Sequence, residues 1–206
     1  MAQGLKDGPA ATLFFEVPNG LWTLRDLGIW DLIYEHCSYF TAAALLEVFR
    51  SAGYWPRAFA TEFGEQFLWV EATRSPAPAP QPDLPVAEVA ALADAFGEQL
   101  RAKVDTWNQR LGALREEGAR VVLWGAGSKG VTFLNVVENG ASVAGVIDIN
   151  PRKTDRFVPG TGQCIHQPEW LGQHDADVVL VMNPIYEHEI GERLRELGSR
   201  ARTVTV

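Results

Sequence analysis

Two cysteines, Cys37 and Cys164, are all the thiols in 206 residues. No Cys-x-x-Cys pair exists, which argues against a disulfide framework and against a sulfur-ligated zinc site. Both read as ordinary thiols, and no metal site is expected. Positive charge is short too: 18 lysines and arginines against 26 carboxylates leave a net charge of −8 and a pI near 5.0. Such a chain repels a phosphate backbone, and no basic stripe with interleaved aromatics offsets this, so nucleic acid is not an expected partner. No apolar run approaches the roughly 20 residues that cross a bilayer, and the start, Met1-Ala-Gln-Gly-Leu-Lys-Asp-Gly8, lacks the charged-then-apolar layout of a signal peptide. The expectation is a soluble, cytoplasmic protein with no membrane partner. Its 47% apolar content suffices for one large or two small domains.

Proline is concentrated rather than scarce. Ser75-Pro-Ala-Pro-Ala-Pro-Gln-Pro-Asp-Leu-Pro85 is stiff and extended, cannot enter a sheet or helix interior, and divides the chain. Residues 1–74 form the front part, 75–85 a linker, 86–117 a long helix and 118–206 the back part. In the front, Thr12 to Val17 reads as a buried strand stopped by Pro18-Asn19-Gly20. Thr41 can cap a helix through Ala52 with Ala42, Leu45, Leu46 and Phe49 inward and Gly53 as its stop. Tyr54 to Phe63 and Gln66 to Thr73, separated by Gly64-Glu65, suggest an antiparallel hairpin. In the helix, apolar residues from Val86 through Phe96, Trp107 and Leu111 to Leu114 recur at three- and four-residue steps, closed by Gly118. It should brace the molecule by packing within the chain or else pair with another copy.

The back part alternates strand and helix, with strands at Arg120 to Trp124, Val143 to Asp148, Asp177 to Met182 and Arg202 to Val206. Helices are expected near Ser128 to Val137 and Tyr186 to Leu197, with a short one starting at Pro168-Glu169. This is the rhythm of a small Rossmann-like parallel sheet. Trp124-Gly125-Ala-Gly127-Ser-Lys129-Gly130 fits G-x-G-x-x-G between a strand and a helix, where backbone N–H groups at the helix start favour an anion and Lys129 adds positive charge. The same glycines would also serve merely to pack the helix on its strand. Asp148, ending the next strand, stands where an acid would hold a ribose hydroxyl. Arg152, Lys153 and Arg156 with the turn Val158-Pro-Gly-Thr-Gly162 suit an anionic group, or else form a solvated loop. Asn183 and Tyr186 follow the third strand and could face the same cleft, while Glu187, His188 and Glu189 suit a solvated first helical turn. His166 and His174 stand alone in loops without metal-ligand spacing.

Asp31-Leu-Ile-Tyr34-Glu35-His36-Cys-Ser-Tyr39-Phe-Thr41 is the densest cluster of proton-transfer groups, placed between a strand-like run and a helix. Three motifs then occur in order: Phe15-Glu-Val-Pro-Asn19 leading to Tyr34-Glu-His-Cys-Ser-Tyr-Phe40, the glycine-rich turn, and Asp148-Ile-Asn-Pro with Pro159-Gly-Thr-Gly162. Together they resemble the C-terminal portion of S-adenosylmethionine-dependent sugar C-methyltransferases, including their C-methyltransferase C-terminal domain. The resemblance implies methylation of a carbon beside the keto group of a nucleotide-linked sugar, by base-promoted enolisation and then methyl transfer. In that family a Tyr-x-Glu-His cluster lines the site; Glu35 and His36 match its last two positions. The resemblance makes His36 the base or proton relay and Glu35 the group that orients it or binds the sugar, with Tyr34 the third catalytic candidate. Tyr34 directly precedes the glutamate, so Ile33 takes the family's tyrosine position.

It further implies a fold: residues 12–73 give the strand, helix and hairpin that end a class I methyltransferase sheet. The S-adenosylmethionine-binding loop and acid have no counterpart in this chain. The expectation is therefore a methyltransferase portion, inactive alone, completed by a separate chain carrying the methyl-donor half or by self-association. The alternative is a non-catalytic Rossmann-like module binding a nucleotide sugar or a dinucleotide.

Overall fold

The computed structural model describes residues 11–78, 80–82 and 85–206; the reading of the chain start, and of positions 79, 83 and 84 in the proline-rich segment, lies outside the described residues. The chain divides into two compact units, one holding the residues up to Ile29 with Tyr34–Glu98, the other Trp30–Ile33 with Gln99–Val206.

The first unit is a three-stranded sheet with helices. Strand β1 (Leu13–Pro18) is followed by helix α1 (Gly20–Arg25), helix α2 (Ala42–Ser51) and strands β2 (Trp55–Glu62) and β3 (Phe67–Thr73). The sheet order is β1-β3-β2, with β3 antiparallel to both neighbours and Val70 opposite both Phe15 and Phe59. Alternation on β3 buries Leu68, Val70 and Ala72 in one core with Leu45, Leu46 and Phe49 of α2. Thr41 Oγ1 accepts from the Ala44 N–H at 3.4 Å, and Gly53 lies beyond the helix end at φ +79°. This is the start and stop predicted from sequence.

Two local expectations need correction. Asn19-Gly20 does not merely stop β1, because the Asn19 carboxamide oxygen accepts from the Leu21 N–H at 3.1 Å and starts α1. The hairpin connection spans Phe63 to Gln66 instead of two residues, with Phe63, Gly64 and Glu65 all left-handed. Two of those three carry a Cβ, which sequence statistics weigh against.

Helix α3 (Val86–Glu116) ends before Gly118, whose φ is +70°. Its apolar stripe is not a uniform core face: Trp107 and Leu111 are its buried residues, and Val86 is 78% exposed. The second unit contains β4 (Val121–Trp124), α4 (Ser128–Val136), β5 (Gly145–Ile147), β6 (Ile165–His166), β7 (Val178–Val181), α5 (Glu187–Glu196) and β8 (Arg202–Thr205). All five strands are parallel, in the order β6-β5-β4-β7-β8.

Every residue of β4 and β7 is buried, since helices cover both faces of a parallel sheet. Trp124, Val179 and Val181 pack with Ile190 and Leu194 of α5. Phe133 of α4 lies edge-on to Trp30 at 5.0 Å and to Trp107 at 5.4 Å between ring centroids. Strand β6, absent from the sequence reading, is only two residues long, and a run that short carries no periodicity. No helix among the described residues is long and apolar enough to cross a membrane.

Candidate functional site: a cleft at the strand ends of the parallel sheet

After β4 the chain adds strands on one side of the sheet, β5 then β6, and afterwards crosses to add β7 and β8 on the other. Parallel sheets open a crevice at the carboxyl ends of strands where the direction of winding switches. A cleft of about 400 Å³ lies there, lined by Trp124 and the glycine-rich turn after β4, Asp148 and Ile149 after β5, and Met182, Asn183 and Tyr186 after β7.

The three glycines of the turn do different work. Gly125 has φ +116°, where a side chain would strain the backbone, and its N–H donates to the Ile147 carbonyl at 2.8 Å. At Gly130 a Cβ would overlap the Gly125 carbonyl oxygen, so this glycine lets α4 pack against the turn. Gly127 has neither constraint: its φ is −88° and a Cβ there would meet nothing within 4 Å. It occupies the cap position of α4 without a side-chain cap, and the first turn, Ser128 to Gly130, lines the cleft. Serine, asparagine or aspartate would stabilise that helix start somewhat better than glycine. What the bare position provides is room for an anion to approach N–H groups at the positive end of the helix.

The charged side chains around the turn are engaged by the protein itself. Asp148 is buried and its carboxylate accepts three hydrogen bonds, from the Ala126 N–H (2.9 Å), the Asn150 N–H (2.8 Å) and the Lys153 ammonium (2.8 Å). It ties the glycine-rich turn to the loop after β5 while lining the cleft. Lys153 also donates to the Ala126 carbonyl at 3.0 Å, and Arg152 and Arg156 are exposed and do not line the cleft. The solvated-loop alternative thus describes those two arginines. The turn Val158 to Gly162 also does not line the cleft; it closes a hairpin whose arms bridge Phe157 and Cys164.

Lys129 is no mobile cation, because its ammonium pairs with Asp31 at 3.1 Å with both side chains mostly covered. Arg193, a cleft residue that sequence reasoning did not single out, is held by Glu196 at 2.8 Å and Glu169 at 2.6 Å, which keeps its guanidinium above its ordinary pKa. With these cations paired, the backbone N–H groups at the start of α4 are the part of the cleft best suited to an anion. Asn183 accepts from the Ile185 N–H at 3.2 Å and so starts the turn that carries half-exposed Tyr186 to the cleft wall.

Gly125, Gly127, Lys129, Gly130, Asp148, Asn183 and Tyr186 are therefore gathered in one cleft. Ser128, Met182, Glu189, Ile190 and Arg193 join them, and only their proximity to strand ends could have flagged them. Tyr34, Glu35 and His36 belong to the other unit. There Tyr34 is 97% exposed, Glu35 is exposed, and the partly buried His36 ring stands edge-on to Tyr39 with centroids 5.9 Å apart. The loop is anchored beyond them, where the Gly20 N–H donates to the Phe40 carbonyl at 2.8 Å. Asp31, neighbouring in sequence, is in the second unit with Lys129.

A parallel α/β sheet with a glycine-rich turn opening into a cleft at its switch point defines the class of Rossmann-like domains that bind ligands at their strand ends. Residues 86–205 match the C-methyltransferase C-terminal domain, and the chain belongs to that family. No curated protein matches the chain.

Proposed function

We propose that this chain is the C-terminal part of an S-adenosylmethionine-dependent C-methyltransferase, and that its strand-end cleft holds the anionic portion of a nucleotide-linked keto sugar. The observation that carries the reading is Gly127. Its place at the open start of α4 is required by neither backbone geometry nor packing, and it leaves that helix start without a side-chain cap beside the cleft. A diphosphate is the group such a helix start receives best. Membership of a C-methyltransferase family supports carbon as the methyl acceptor.

S-adenosylmethionine itself does not fit this cleft. A carboxylate has about four lone-pair sites, and three on Asp148 are filled from within the protein, so no paired acceptor is left for a ribose diol. The methyl donor is brought by residues outside this chain, and the 206 residues alone bind substrate without transferring methyl. Residues 1–74 are the rear part of the methyl-donor domain, 75–85 a linker, 86–117 a linking helix and 118–206 the substrate module. The order strand, helix, hairpin in the front supports this, as does β1 at a sheet edge, able to accept a strand from another chain or copy. The family's chemistry needs a base for the acidic C–H beside the keto group. In this reading His36 is the base or proton relay, Glu35 orients it or binds the sugar, and Tyr34 is the third catalytic candidate.

Calorimetric titration of the 206 residues with dTDP-glucose, NAD and S-adenosylmethionine tests the binding claim. The nucleotide sugar is expected to bind in the micromolar range; comparable S-adenosylmethionine binding, or none by the sugar nucleotide, would sink it. In a complete enzyme, His36→Ala should lower turnover about 100-fold or more, as loss of a general base does. Turnover within about tenfold of wild type would favour a second reading, a non-catalytic nucleotide-sugar or dinucleotide module. The exposure of Tyr34 and Glu35 lends that reading its support.

A further inference from the structure

Two residues assigned no role from sequence, Cys164 and His166, flank Ile165 at the edge strand β6 and project to the same side of it, as alternate residues of a strand do. Asp155 comes to meet them from the preceding loop. One ligand atom from each of Asp155, Cys164 and His166 lies within 4.8 Å of the other two, and among the described residues this is the one such group.

The three are held on a stiff frame. The Asp155 N–H donates to the Ile165 carbonyl at 2.9 Å and the Ile165 N–H to the Arg156 carbonyl at 2.8 Å, a two-bond ladder that pins the loop against the strand. The His166 ring lies flat on Trp170, centroids 4.6 Å apart and planes within 7°, so its orientation is fixed. Cys164 is in no disulfide.

We propose that Asp155, Cys164 and His166 form a binding site for a borderline divalent transition metal of the zinc type, with three protein ligands and a fourth position open to solvent. The ligand set selects the metal. Calcium and magnesium take oxygen, whereas a thiolate, an imidazole and a carboxylate together are the donors zinc accepts. Zinc bonds of about 2.0–2.3 Å in a tetrahedron put ligand atoms about 3.3–3.8 Å apart. Atoms within 4.8 Å of one another must close by up to about 1 Å, through rotamer changes of Cys164 and of the exposed Asp155. Binding deprotonates the Cys164 thiol and releases that proton to solvent, so affinity rises with pH.

Cobalt(II) titration of the 206-residue chain, free of any polyhistidine tag and in thiol-free buffer, tests the site. One equivalent should produce a thiolate-to-cobalt charge-transfer band in the near ultraviolet with visible bands of tetrahedral cobalt. Zinc should bleach both, being bound more tightly. Cys164→Ser should abolish the charge-transfer band and Cys37→Ser should leave it. His166→Ala and Asp155→Asn should weaken binding at least about tenfold, with circular dichroism reporting that each variant folds. Should Cys164→Ser not fold, the wild-type chain still decides: zinc should slow iodoacetamide alkylation of Cys164 and not of Cys37. Absence of the band, its survival in Cys164→Ser, or equal alkylation of Cys164 with and without zinc overturns the proposal.

Discussion

Replacing Asp148 by alanine separates a group that builds the cleft from one that waits for a ligand. The substitution leaves three donors without their acceptor. The Ala126 N–H is buried, and stranding such a donor costs about 1–3 kcal/mol. The Asn150 N–H and the Lys153 ammonium are only partly buried, so water recovers most of each bond and they add about 0.5–1 kcal/mol apiece. The total, about 2–5 kcal/mol, should lower the melting temperature of the second unit by about 10 °C or more. Differential scanning calorimetry of the ligand-free chain measures it, with Arg152→Met, an exposed cation of the same loop, as the control that should change stability by less than about 0.5 kcal/mol. If Asp148 served chiefly a ligand, the empty protein would hardly notice its loss. A shift under about 2 °C in Asp148→Ala would refute the assignment of this carboxylate to holding the turn.

The glycines of the same turn should respond in opposite ways. Gly130→Ala forces a methyl group onto the Gly125 carbonyl and should destabilise by about 1–3 kcal/mol in urea unfolding, despite the better helix propensity of alanine. Gly127→Ala should cost no more than about 1 kcal/mol, the difference between glycine and alanine at a helix start, yet weaken dTDP-glucose binding tenfold or more in calorimetry. Unchanged affinity in that variant would remove Gly127 from the ligand site. Lys103, on the α3 face by Trp30, has its pKa lowered by burial first and by nearby Lys129 second. Between that lowered value and the ordinary lysine value the unfolded chain binds more protons than the folded one, so stability should rise with pH through this window. Urea unfolding at pH 7 and pH 9.5 should show the rise in the wild type and its loss in Lys103→Met; an equal rise in both would assign it elsewhere.

The back sheet was legible because β4 and β7 are unbroken runs of large apolar residues and because the glycine-rich turn marks the passage from strand to helix. Asn183 and Tyr186 could be placed near that turn from topology alone, since strand ends converge. Pairing was not legible. Asp31 and Lys129 are far apart in sequence, and nothing local shows that each neutralises the other. Asp148 carried the right chemistry at the right place, yet its three donors come from segments whose meeting is a property of the folded loop. Strand β6 owes its existence to β5 beside it, as the left-handed hairpin residues owe theirs to the register of β2 and β3. The ends of α2 could be read in advance because capping is a matter of adjacent residues.

The placement of β3 between β1 and β2 orders events during synthesis. Strand β1 emerges first but pairs only with β3, about sixty residues later, and never with β2. The hairpin of β2 and β3 can close within microseconds once both are out, whereas β1 must be carried to it across a long loop. Until Thr73 has left the ribosome, Leu13, Phe15 and Val17 cannot make the pairing with β3 that they have in the folded chain. The edge of β1 that faces β3 therefore stays open for as long as translation of residues 19 to 73 takes. This is an interval in which a chaperone or a foreign strand can reach it first.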